Sequence, residues 1–152
     1  MSNFFDESRG RRIKKNLSTL DELHFTVQVV HAIIRDGEKF LLGKRSRSKR
    51  DAGGCWASVG GRLEEGESLE AAIIRECAEE IGVAVKPIKL LRKIVERQAV
   101  HFWFEVEIIS GVPYLANDEH SRLEWFTKSE VELLSPIVSD DLQLILQRAG
   151  GN

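Results

Sequence analysis

At 152 residues the chain has the size of one domain, long enough to bury a core without a disulfide framework or structural zinc. A hydrophobic content of 42% excludes wholesale disorder, and a formal charge of 22 − 24 = −2 gives no general indication of nucleic-acid binding. The charge is unevenly spread: residues 1–54 carry 12 Lys/Arg against 7 Asp/Glu, and residues 55–152 carry 10 against 17.

Two cysteines, Cys55 and Cys77, cannot build a multi-bridge scaffold or a four-thiolate metal site, and they fit a reducing compartment. The opening residues lack the basic start and apolar run of a secretory leader, and no apolar stretch reaches the ~20 residues of a membrane span. A soluble, cytoplasmic protein is expected, with residues 1–20 a polar tail or extension and 21–152 the domain.

The tail carries the basic run Arg9–Lys15, read as a surface feature peripheral to any chemistry. From His24 the residues alternate as in a strand through Ile34, and Asp36-Gly37 signals a hairpin returning along Phe40–Gly43. A basic loop, Lys44–Arg50, precedes a short strand near Trp56–Val59. Residues 69–81 have helical periodicity and stop at Gly82, a natural C′ glycine. Val83–Val85, Lys89–Val95 and Val100–Ile109 read as strands, the last two as antiparallel neighbours, and Arg122–Phe126 as a short one. Ser129 and Ser139 are placed to cap helices over Glu130–Leu134 and Asp140–Arg148. This order predicts an α/β sandwich with a mixed sheet.

The chemistry is concentrated in the central helix. With Glu76 set at 0°, Glu79 falls at about 300° and Glu80 at about 40°, while Ile74, Cys77, Ala78 and Ile81 fall at about 100° to 200°. The expectation is an apolar face for the core and a separate face crowded with carboxylates. Such crowding is repulsive, and a divalent cation reverses its sign. A bare Glu-x-x-Glu-Glu is more often a solvated helix face, so the surrounding residues decide between the two.

Those residues are Gly61, Glu67, Arg75 and Gly82-Val83, and with Glu76, Glu79 and Glu80 they form a pattern. Glycine is followed after five residues by Glu, then after seven by Arg-Glu, an apolar residue, any residue, Glu-Glu, any residue, Gly and an apolar residue. This resembles the signature of the Nudix hydrolases. Cys77 stands where an aliphatic residue is usual, a small readily buried substitute. Val59 stands where many relatives have Pro. The resemblance extends over about residues 24–149 and implies a Nudix-type α/β/α sandwich with a mixed β-sheet.

It also implies a Mg²⁺- (or Mn²⁺-) dependent enzyme that hydrolyses a nucleotide pyrophosphate bond by water attack at phosphorus. Glu76, Glu79, Glu80 and the Gly61 carbonyl would hold metal, Arg75 would orient the glutamates, and Glu67 would support Arg75. The general base varies in the family; Glu76 is the first choice, with Glu119 and His120 of the loop Leu115–Phe126 as alternatives. Glu119 is also a candidate ligand. From the residues themselves, Arg45, Arg47, Lys49 and Arg50 of the basic loop are candidates to grip phosphate, Arg45 and Arg47 foremost. Cys55 has no activating neighbour in sequence and reads as an incidental thiol, His31 and His101 as structural, and Trp125-Phe126 as core.

Within the family the reading is a MutT-like nucleoside triphosphate pyrophosphohydrolase releasing a nucleoside monophosphate and pyrophosphate, with oxidised nucleotides among its candidate substrates. Phe40–Arg45 and Asp118–His120 also resemble the GDP-mannose hydrolase branch, and ADP-ribose is another alternative. A non-catalytic nucleotide-binding module is the rival from a different class, disfavoured because every box glutamate is present. The expected partner is a small nucleotide, without stable nucleic-acid binding or membrane contact; a homodimer stays open.

Overall fold

The computed structural model describes residues 26–151, with side chains as far as Arg148. The basic run Arg9–Lys15, the start of the domain at residue 21, and His24 and Phe25 lie outside the described residues.

Seven strands form one sheet: β1 (Val27–Asp36), β2 (Lys39–Arg45), β3 (Trp56–Ala57), β4 (Val59–Arg62), β5 (Ala84–Val95), β6 (Ala99–Ser110) and β7 (His120–Thr127). Helix α1 (Leu69–Ile81) follows β4; α2 (Lys128–Glu132) and α3 (Ser139–Gly151) end the chain. The main path runs β3-β2-β1-β6-β5, with β4 added on β1 and β7 on β2. Only β1 and β6 pair in parallel, so the sheet is mixed, as expected.

The period-2 pattern of β1 sorts the two cores. Val30, Ala32 and Ile34 face α1 and pack with Ile73, Cys77 and Ile81. Ile33 points the other way, into a cluster with Phe40, Leu42, Trp56, Trp103, Phe126 and Ile145 of α3. Helices thus cover both faces, giving the α/β/α sandwich. The β1–β2 turn uses Gly37 at φ 63°, one residue later than the Asp36-Gly37 signal suggests, because Asp36 itself pairs with Lys39.

Several sequence-based boundaries need correction. The strand expected over Trp56–Val59 is two strands, broken at Ser58: β3 pairs with β2, and β4 crosses to β1. The strands expected over Val83–Val85 and Lys89–Val95 merge into one, β5, which begins at Ala84 and continues through Pro87. Proline is tolerated there because β5 lies at the sheet edge, where a missing N–H leaves no ladder partner unpaired. The first C-terminal helix is capped by Thr127 rather than Ser129. Thr127 and Glu130 form a reciprocal capping box, which starts the helix at Lys128. Trp125 is partly buried against one core and Phe126 buried in the other, as expected.

Candidate active site

The loop entering α1 and the first turn of that helix are tied down locally. Ser68 caps the helix by accepting from Ala71 N at 3.0 Å, and Gly82 closes it in the left-handed conformation at φ 69°. Within this frame Arg75 reaches back over the loop. Its Nε donates to Glu67 Oε2 at 2.6 Å, and its Nη2 donates both to Glu67 Oε1 at 3.0 Å and to the Arg62 carbonyl at 2.9 Å. Nη1 donates to Glu76 Oε2 at 3.2 Å and to Glu79 Oε1 at 3.3 Å. One guanidinium therefore fixes the loop and two box glutamates together. The fork of hydrogen bonds from Arg75, with the Glu64 amide, holds Glu67 down at about 2, and the same contacts raise Arg75 above its ordinary value.

The separation of apolar and acidic faces on α1 does not survive. Ile74, expected in the core, is 44% exposed, while Glu80 is 4% exposed among Ala72, Ile73, Cys77 and Ile81. The buried arc of the helix runs through the side carrying Glu76 and Glu80, because β4 passes directly beneath it. Gly61 in β4 leaves room for the Glu76 carboxyl: a Cβ there would lie 2.2 Å from Oε2. The Gly60 amide donates to Glu80. Glu79 stays on the outside with its side chain 54% exposed, turned to Arg75. Among the described residues, no three His, Cys, Asp or Glu side chains are grouped closely enough to enclose an ion.

Burial is the first cause that pushes Glu76 up to about 8, with a hydrogen bond and charge repulsion from Glu80 adding to it. Burial likewise raises Glu80 to about 7, against the hydrogen bond from Glu76 that lowers it. Two carboxyls in one enclosed space keep protons that solvated carboxylates would lose.

The loop before β7 joins this site from the opposite side. Ala116 N donates to the Glu80 carbonyl and Tyr114 N to that of Ile81, lacing the loop to the end of α1. Glu119 is held by Arg45 Nη1 at 2.9 Å and Lys49 Nζ at 3.3 Å. Arg47 is exposed and takes no part in that cluster, whereas Lys49, another candidate of the basic loop, does. His120 is the first residue of β7 rather than part of a loop, is 3% exposed, and meets Glu80 Oε1 through Nε2 at 3.0 Å. Burial, with Arg45 and Lys49 nearby, lowers it to about 4 in spite of Glu119, so its imidazole is neutral.

Other polar residues lie outside this cluster. His31 Nε2 lies 2.8 Å from His101 Nδ1 and its ring stacks on Trp103; burial lowers its pKa to about 3. Both cysteines are free, and burial pushes the Cys77 thiol up to about 12, leaving it unreactive. Asp141 was not anticipated. It is buried at the first turn of α3 and accepts from Ser58 N, Ser58 Oγ and Trp103 Nε1, each at 2.9 Å.

A family model described as NUDIX domain matches residues 24–147. The chain belongs to the Nudix family and is a hydrolase of phosphoric anhydrides. It is 30% identical to the CTP pyrophosphohydrolase of Escherichia coli K12 over 123 residues, covering 78% of this chain and 88% of that protein. It is 34% identical over 103 residues to an NAD-capped RNA hydrolase NudC of Mannheimia succiniciproducens, covering 64% of this chain but 38% of that one. Among solved structures, a MutT NUDIX hydrolase from Burkholderia pseudomallei superposes with a TM-score of 0.71 at 26% identity, covering 80% of this chain and 97% of that one. Among the described residues no helix is long and apolar enough to cross a membrane.

Proposed function

We propose that this Nudix hydrolase is a MutT-like, Mg²⁺- (or Mn²⁺-) dependent nucleoside triphosphate pyrophosphohydrolase, cleaving by water attack at phosphorus to give a nucleoside monophosphate and pyrophosphate. The observation that carries the reading is the Glu76–Glu80 pair, enclosed beside Gly60, Gly61 and Arg75, where burial raises both carboxyls above their ordinary values. The donor set suits a hard cation: oxygen ligands on rigid backbone, beside a glycine carbonyl, with room left only because residue 61 has no side chain. Glu76, Glu80 and the Gly61 carbonyl would hold it, and Glu79 would join from the exposed side. When bound, the metal neutralises phosphate charge and makes water a better nucleophile at neutral pH.

The chain's own residues supply the rest. Arg75 holds Glu76 in one orientation, and Glu67 holds Arg75. Glu76 takes the proton of the attacking water, with Glu119 as the alternative base. Arg45 and Lys49 bind the terminal phosphates, exchanging Glu119 for a more highly charged partner. The likeness to a triphosphate hydrolase across most of that protein's length supports a triphosphate over a nucleotide sugar or ADP-ribose.

Hydrolysis in ¹⁸O-labelled water, screened over (deoxy)nucleoside triphosphates, nucleotide sugars and ADP-ribose with Mg²⁺ or Mn²⁺, tests both parts. Label in a phosphate-containing product with triphosphates as best substrates is expected. Label on a free sugar overturns attack at phosphorus, and no hydrolysis of any nucleotide returns the protein to a binding module.

A further inference from the structure

His120 does not stand where strand alternation would put it. In β7, Leu123 and Trp125 pack on the α1 side of the sheet and Phe126 on the α3 side, so an unbroken pleat would turn residue 120 toward α3. The register between β2 and β7 slips at this point: Lys44 pairs with Arg122, but Arg45 pairs with His120, leaving Ser121 as the extra residue of a bulge. A bulge changes which face the following side chain takes. It turns His120 toward α1, onto the strand position opposite Glu80.

The place it enters was vacant for a second reason. Gly43 in β2 lies on the α1 side, next but one to Leu41, and a Cβ there would come within 2.4 Å of His120 Nδ1 and 2.7 Å of Cγ. The ring therefore lies flat against the glycine backbone. Its Nδ1 is buried with no hydrogen-bond partner, whereas Nε2 meets Glu80 Oε1 at 3.0 Å. A buried N–H facing only carbon would be an unmet donor, which costs more than a lone pair left idle. The proton accordingly sits on Nε2, pointed at the glutamate.

We propose that His120 is a positioning residue, held against Gly43 by the β7 bulge so that its Nε2–H fixes the Glu80 carboxylate in the orientation in which it binds metal. This rests on Glu80 being a ligand, as proposed above. It takes His120 out of contention as the base, since a ring 3% exposed and committed through Nε2 to Glu80 has no nitrogen facing solvent. Hydrogen bonds to ligating carboxylates tune affinity at metal sites, and their loss commonly weakens binding about 10- to 100-fold.

The test is Mn²⁺ binding to the full chain without nucleotide, followed by electron paramagnetic resonance, with thermal melting to establish that each variant is folded. His120→Leu should weaken Mn²⁺ binding about 10-fold or more. His120→Gln, whose amide N–H has similar reach, should restore most of it. Gly43→Ala should act like His120→Leu by displacing the ring, and Gly43→Ala with His120→Leu should be no worse than His120→Leu alone. Should His120→Leu fail to fold, Gly43→Ala set against His120→Gln makes the same comparison. Wild-type Mn²⁺ affinity in folded His120→Leu, or equal losses in His120→Leu and His120→Gln, overturns the proposal while Glu80→Gln still loses metal. If Glu80→Gln also binds Mn²⁺ normally, the assignment of Glu80 fails, and the role of His120 falls with it.

Discussion

The indole Nε1 of Trp103 donates to Asp141 Oδ1 at 2.9 Å, joining β6 to the first turn of α3 through the middle of the second core. Ser58, at the break between β3 and β4, meets the same carboxyl through its amide and its hydroxyl. One buried side chain thus ties together three elements that are far apart in sequence. Burial raises the pKa of this carboxyl, and the three donors oppose that rise.

Asp141→Ala leaves three buried donors without an acceptor. At about 1 kcal/mol or more for each, the folded state should lose about 3 kcal/mol. Urea denaturation measures this directly, and a loss below about 1 kcal/mol would mean that the donors find other partners.

Glu76 and Glu80, raised to about 8 and about 7 from an ordinary 4.5, make the stability of the metal-free protein depend on pH. Their raised values stabilise the fold fully below the unfolded value near 4.5, and that contribution is lost as pH rises through 7 to 8. A divalent cation favours the ionised pair, so Mg²⁺ should raise the melting temperature more at pH 8.5 than at pH 5.5. Melting curves across pH with and without Mg²⁺ check this; Glu76→Gln should flatten the metal-free profile. An equal Mg²⁺ effect at both ends would contradict it.

Arg75→Lys keeps the charge but loses the planar fork that engages Glu67, Arg62 O, Glu76 and Glu79 at once. Turnover should fall about 10-fold or more with KM little changed, because the lost contacts orient the glutamates rather than the nucleotide. Steady-state kinetics separate the two parameters. A variant with normal kcat would leave Arg75 a purely structural residue.

Arg45→Ala removes one of the two cations that hold Glu119 and that are proposed to receive phosphate. A charged hydrogen bond of about 1.5–3 kcal/mol corresponds to roughly 10- to 100-fold in kcat/KM. Arg47→Ala should change it less than threefold, since Arg47 stands outside the cluster. Equal effects from the two would assign both to the general field of the loop.

Much of this architecture was legible from local pattern. The helical periodicity over residues 69–81 and the stop at Gly82 match α1, because a helix end needs a residue that accepts positive φ. Alternation after His24 and the Asp36-Gly37 signal announced the β1–β2 hairpin, and the spacing of Gly61, Glu67, Arg75, Glu76, Glu79 and Glu80 carried the family resemblance. These are short-range signals, set by residues within a few turns or pleats of one another.

What local pattern could not contain is how close separate segments approach. Ile74 has the angle of a core residue and Glu80 that of an exposed one, yet Ile74 is exposed and Glu80 buried. The side of α1 that faces the sheet is chosen by the glycine strand β4, which alone admits carboxyls between the layers. His120 takes its face from a bulge in pairing with β2, and its space from Gly43, 77 positions earlier in the chain. Periodicity assigns a face only while the ladder is regular; where register slips, the partner strand decides.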